Sequence, residues 1–225
     1  MMKPSYELIV FDWDGTLMDS EARIVACMQG AIAELMLPLR DDAAIRNIIG
    51  LGLIEAVRSL YPEIEAGEQQ ALVEGYRHQY LVTNSTSSVL FPGMQSLIES
   101  LNQQGYLLAI ATGKGRQGLE ASMSETGLKT FFHLTRCADE TRSKPHPHML
   151  EEIMSVLNVD KNDTLMIGDT EYDIQMAHNA GTDALAVGYG VHETERLLGF
   201  SPRHYVDTPE QLISYLLNLA KCKHT

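Results

Sequence analysis

The apolar positions of this chain follow two rhythms. Short, nearly unbroken apolar runs at 7–11, 107–111, 131–135, 164–167 and 184–187 have strand length. Between them lie helix-length patterns near 94–104, 116–126, 146–157 and 171–180. Continuous apolar runs separated by helices predict strands buried on both faces, hence an α/β core with a parallel sheet between two helical layers. Most of these runs end in Gly, Asp or Thr, as in Phe11-Asp12, Ala111-Thr112 and Gly168-Asp169. Open parallel sheets bind ligands beyond the carboxyl ends of their strands, so the polar residues collect where chemistry is expected.

The second rhythm occupies residues 20–88. Ile24, Val25, Met28, Ala31, Ile32 and Leu35 recur at one-face helical spacing. Further helical patterns run near 41–49, 53–60 and 68–82, punctuated by Pro38 and Pro62. No strand is expected there. The pattern predicts two domains: a core of 1–19 and 89–225, and an inserted all-helical domain of 20–88. The hinges fall at Asp19-Ser20 and over 87–93, where Phe91-Pro92-Gly93 is a turn signal.

Composition narrows the function classes. The 225 residues include 30 acids against 17 Lys and Arg, a net charge of −13. Such a surface repels phosphate backbones, so no nucleic-acid partner is expected, although a small anionic substrate is compatible. No apolar run approaches the ~20 residues that span a bilayer, so no membrane partner is expected. No secretory run follows Met1–Ser5. The cysteines, Cys27, Cys137 and Cys222, are odd in number and lack C-x-x-C spacing, which points to reduced thiols in a cytoplasmic protein. Oligomeric state is not legible.

Four short segments carry candidate chemistry. Asp12 and Asp14, in Asp12-Trp13-Asp14-Gly15-Thr16, can point the same way from an extended backbone. One would serve as nucleophile and the other as proton donor, or both are simply a solvated Asp-Gly turn. Trp13, the only tryptophan, is a candidate pocket wall. Asp169 and Asp173 share a face at a helix start, where they either complement the helix dipole or bind a hard cation such as Mg2+. Thr112-Gly113-Lys114 opens a helix after a strand, as a phosphate cradle or an ordinary capped turn. Pro145 holds Lys144 extended before another helix start, where it either meets a phosphate or lies in solvent.

In this order and spacing, Phe11-Asp12-Trp13-Asp14-Gly15-Thr16-Leu17, Ala111-Thr112-Gly113-Lys114, Lys144-Pro145 and Gly168-Asp169-Thr170-x-Tyr172-Asp173 resemble the haloacid dehalogenase superfamily. The resemblance covers essentially the whole chain and is nearest to the phosphoglycolate phosphatase-like branch. It implies a Rossmann-like core with a helical cap, and a phosphatase of a small phosphorylated metabolite that uses Mg2+. By the same resemblance, Asp12 forms an aspartyl-phosphate and Asp14 acts as acid and base. Thr112, Gly113 and Lys144 bind the phosphoryl group. Asp12, the Asp14 carbonyl and Asp169 hold the metal, supported by Asp173 through water. Asp14 argues against dehalogenation, since dehalogenases of the superfamily lack that second carboxylate. Residues 20–90 hold no lysine for a Schiff base, and Ser20–Ile24 hold no histidine of the β-phosphoglucomutase kind. Hydrolysis is therefore expected over the alternatives, a sugar phosphomutase or a phosphoaspartate signalling protein. In the cap, Arg23 and Arg46 are candidates to bind the leaving group, and Gly50 and Leu51 to approach it.

Overall fold

In the computed structural model, which describes residues 6–221, the chain opens with β1 (Leu8–Phe11) at the centre of the sheet. A two-residue strand, β2 (Met18–Asp19), then leads out to α1 (Glu21–Glu34), α2 (Asp42–Asn47), α3 (Leu53–Leu60) and α4 (Ala66–His78). The chain returns through β3 (Val89–Leu90), which pairs antiparallel with β2. It continues through α5 (Met94–Gln103), β4 (Leu107–Thr112), α6 (Arg116–Thr126), β5 (Leu134–Cys137), α7 (His148–Leu157), β6 (Thr164–Gly168), α8 (Glu171–Ala180) and β7 (Asp183–Val187). It ends with α9 (Thr194–Gly199), β8 (His204–Val206) and α10 (Pro209–Lys221).

The six long-range strands pair in parallel in the order β5-β4-β1-β6-β7-β8. This is a Rossmann-like α/β fold. The strand order reverses between β1 and β6, the switch point where such sheets bind ligands. Side chains of β1 alternate between the two layers, as the period of a strand requires. Ile9 and Phe11 join a cluster with Leu97, Met123 and Leu216, while Leu8 and Val10 join one with Leu150, Ile174 and Ala177. Helices α1–α4 pack on each other around Met28, Ile32, Ile45, Val57 and Leu72.

Three elements depart from the sequence reading. The strand expected at 131–135 lies at Leu134–Cys137, after a 3-10 turn at Lys129–Phe131. The helix expected over 68–82 stops at His78 and continues as one π-helical turn, Gln79–Thr83. The α9, β8 and α10 elements extend the sheet and its cover beyond the last run read from sequence. Cys27 and Cys137 are free and buried, while Cys222 and Met1–Ser5 lie outside the described residues. No described helix is long and apolar enough to cross a membrane.

Candidate active site

Strand β1 delivers Asp12 to its carboxyl end, where the Asp12 N–H donates to the Ile167 carbonyl of β6 at 2.9 Å. Its neighbours end at Thr112 in β4 and just before Asp169 in β6. Asp173 enters from the first turn of α8, where Thr170 and Asp173 form a capping box. Carboxylate oxygens of Asp12, Asp169 and Asp173 lie within 4.8 Å of one another, and all three residues are buried. Asp169 accepts from the Thr16 hydroxyl at 2.8 Å and from the Val191 N–H at 2.9 Å. Asp173 Oδ2 accepts from the Thr170 N–H and hydroxyl at 3.0 and 2.7 Å. Both oxygens of Asp12 and Oδ1 of Asp173 receive no hydrogen bond.

Lys144 supplies the local positive charge. Its Nζ lies 2.9 Å from Asp12 Oδ1 and 2.6 Å from Asp173 Oδ1, at angles outside hydrogen-bond geometry. The pair is therefore held by charge proximity. Burial pushes the Asp12 carboxyl up to about 7, against the pull of Lys144. Burial, then the charges of Asp12 and Asp173, raise Asp169 well above the carboxylate range. Burial works against the Lys144 charge, but the two carboxylates overcome it and hold the ammonium above its usual range.

Three converging buried acids, one with neither oxygen hydrogen-bonded, form an oxygen-only donor set that suits a hard divalent cation. The space is tightly bounded. Gly15 has φ +82°, and a Cβ there would lie 2.2 Å from Asp169 Oδ2.

The Asp14 side chain belongs to a different group. Lys114 Nζ donates to both of its oxygens at 2.9 Å, and the Ser20 hydroxyl donates to Oδ1 at 2.7 Å. The Lys114 ammonium also sits 4.2 Å from the centre of the Tyr80 ring, a cation–π contact. In the sequence, Lys114 stands out only as part of Thr112-Gly113-Lys114, Ser20 reads as a hinge residue, and Tyr80 is unmarked. The position of Lys114 two residues past Thr112 was the available signal. Tyr80 had none, because its place depends on the π-helical turn, a feature that recurs at functional sites.

The loop between α2 and α3 rests on this end of the sheet. A Cβ on Gly113 would lie 2.4 Å from the Leu51 carbonyl oxygen and 2.5 Å from that of Gly50. The Gly52 N–H donates to the Ser143 hydroxyl at 2.7 Å. Asn47 accepts from Tyr172 at its carbonyl, 2.9 Å, and from Arg196 at its side chain, 2.6 Å. Beneath lies a cavity of about 670 Å³, bordered by Asp12, Asp14, Thr112, Gly113, Gly50 and Leu51. Arg23 and Arg46 do not border it. Arg23 donates to the Tyr80 carbonyl at 2.9 Å and stacks on that ring, while Arg46 pairs with Glu21 at 2.5 Å on the surface. Lys144, Asp169 and Asp173 do not border it either, and lie buried behind Asp12. Trp13 is no wall of this cavity: its ring is fully buried, with Nε1 donating to Ser122 at 2.9 Å.

Known proteins resemble this chain in sequence and in fold. The pattern of the haloacid dehalogenase-like hydrolases matches residues 9–187. The chain is 36% identical over 216 residues to the probable phosphatase IndB of Dickeya dadantii, covering 94% of this chain and 93% of that protein. It is 32% identical over 207 residues to the N-acetylmuramic acid 6-phosphate phosphatase of Pseudomonas putida, covering 91% and 93%. A solved haloacid dehalogenase-like family hydrolase from Streptococcus pneumoniae superposes with a TM-score of 0.82 at 26% identity, covering 94% of this chain and 99% of that one. The chain therefore belongs to the haloacid dehalogenase-like hydrolases, as a phosphoric monoester hydrolase of that family.

Proposed function

We propose that this enzyme is a Mg2+-dependent phosphatase of a small phosphorylated metabolite, of the phosphoglycolate phosphatase-like kind, working through an aspartyl-phosphate. The observation that carries this reading is the Asp12 carboxylate: buried, free of hydrogen-bond donors, beside Lys144 and two further acids, and bordering the cavity under the cap. A carboxylate without donors keeps its lone pairs for phosphorus. An Asp12 oxygen attacks the phosphoryl group as the ester P–O bond breaks, and Asp14, released from Lys114 and carrying a proton taken up from water, gives that proton to the departing alkoxide. Asp14 then takes a proton from water, whose oxygen attacks phosphorus. The P–O bond to Asp12 breaks, phosphate leaves and the carboxylate is restored.

The Thr112 hydroxyl, the Gly113 N–H and Lys144 hold the phosphoryl oxygens, since such transfer depends on alignment and charge stabilisation. Asp12, Asp169 and the Asp14 carbonyl would hold the cation, with Asp173 behind; when bound, it offsets the charge of the acids and of the phosphoryl oxygens. In this reading residues 20–88 move as a cap over the core of 1–19 and 89–225. The working compartment is the cytoplasm, which suits the two free thiols.

The test is phosphate release from a panel of monoesters with Mg2+ and with a chelator. Release should require the cation, and Asp12→Asn should lower kcat by at least about a thousandfold. Turnover that survives Asp12→Asn removes the nucleophile assignment, and no turnover of any ester removes the whole reading.

A further inference from the structure

The walls of the cavity also discriminate between leaving groups. A pocket of about 670 Å³ falls within the range that encloses a substantial organic ligand. That leaves far more room than a two-carbon ester fills. Above Asp12 and Asp14, the cap contributes Ile24, Met28, Ile48, Leu51, Leu53 and Tyr76 to its lining. The cap side of the cavity thus presents a group of aliphatic and aromatic side chains, with polar Gln117, Asp139 and Thr141 on the core side.

The nearby cations are committed elsewhere. Lys114 is spent on both oxygens of Asp14, and Lys144 lies between Asp12 and Asp173, where it serves the phosphoryl end rather than the leaving group. Arg23 is turned to the Tyr80 carbonyl and ring, and Arg46 to Glu21. Arg77 borders the cavity but is exposed to water, where its charge is screened. The other charged groups at the border are acids, including Glu55 and Asp139. A second anionic group on the substrate would be desolvated against these apolar side chains, with no unpaired buried cation at the cavity border to meet it. An uncharged ring in the same place would gain from burial.

We infer that the substrate is a phosphate monoester whose leaving group is bulky, uncharged and partly apolar, such as one bearing a ring, and that a compact substrate with a second anionic group, such as phosphoglycolate or pyrophosphate, is disfavoured. This rests on the reading that the phosphoryl group occupies the Asp12 end.

Two matched pairs test it on the Mg2+-loaded protein. Benzyl phosphate and 2-phosphoglycolate are both primary alkyl esters, so the ratio of their kcat/KM values reads the cavity rather than leaving-group reactivity. Benzylphosphonate and phosphonoacetate make the same comparison by calorimetry, without turnover. The ring compound should win by at least about tenfold in each pair, the worth of burying one ring. Ile24→Lys, which puts an ammonium in the wall, should bring both ratios down about tenfold. Tighter binding of phosphonoacetate to the unaltered enzyme overturns the inference, whether or not any ester turns over. So do ratios that Ile24→Lys leaves unchanged. If benzylphosphonate binds tighter but no ester is hydrolysed, the cavity assignment stands and the phosphatase reading falls.

Discussion

Asp12 and Asp14 are two residues apart and have opposite surroundings. Asp12 has no donors and a lysine at ion-pair distance, whereas Asp14 is held at one oxygen by Ser20 and at both by Lys114. Lys114 and Asp14 are nearly buried, so removing one partner strands the other away from water. Lys114→Met should cost about 3 kcal/mol of stability. Adding Asp14→Ala should recover more than half of it, because the stranded charge is gone; urea unfolding of the cycle measures this. A double variant as weak as the single would show that the pair does not act as a unit. His192 offers a pH test away from the acids. It is buried, and its Nδ1 accepts from the Glu171 N–H at 3.2 Å. Burial, then the charge of Arg196, holds its pKa down to about 4 from the ordinary 6.5. Between those values the unfolded chain takes a proton that the folded protein refuses. This contribution to stability is complete above pH 6.5 and is lost as pH falls towards 4. At pH 4.5 the loss relative to pH 7 should be about 2 kcal/mol greater than in His192→Gln. Equal slopes of unfolding free energy against pH in the two proteins would rule out His192 as the cause.

At the scale of elements, legibility followed burial. The β1, β4, β6 and β7 strands are enclosed on both faces, so their apolar runs stand out in sequence. The edge strand β5 is half-buried and reads Leu134-Thr135-Arg136-Cys137, with no run to find. The apolar Phe131 and Phe132 that suggested a strand pack on the core from the preceding turn instead. The β2–β3 ribbon is two residues long on each side, too short for any period. The strand-end acids were legible as motifs, but their partners were not. Lys114 meets Asp14 across 100 residues, and only the folded chain shows that the pair exists. The same holds for the seat of the cap loop. Gly113 matters because the carbonyls of Gly50 and Leu51 descend onto it, leaving no space for a methyl group. Gly113→Ala should therefore lift the loop from the sheet and lower kcat/KM by at least about tenfold, since small displacements around a reacting centre are costly. The atoms nearest to the added methyl belong to the Gly50–Leu51 loop rather than to the sheet, so the unfolding midpoint should change little. Unaltered steady-state kinetics would mean that the loop does not need this seat.

For the whole molecule, the net charge of −13 has a local and a global part. The acids of residues 20–90 outnumber the arginines there, nine to five, a charge excess of the kind that favours solubility and implies no partner. The acids at the switch point of the sheet act differently. Asp12, Asp169 and Asp173 converge in a buried volume where, among the described residues, Lys144 is the contacting ammonium. Their mutual repulsion and lost hydration oppose folding of the metal-free chain. A divalent cation bound only by the folded state should relieve this and stabilise the molecule by mass action. At a hundredfold excess over its dissociation constant the gain is about 3 kcal/mol. For a chain of this length that raises the thermal midpoint by roughly 6–10 °C. The shift should follow Mg2+ concentration, reverse on adding a chelator and vanish in Asp169→Asn. Calorimetry without any substrate reads all three outcomes, so the result does not depend on choosing the correct ester. A midpoint indifferent to Mg2+ in the unaltered protein would remove the cation from both the stability and the chemistry of this site, leaving Lys144 as its counter-charge.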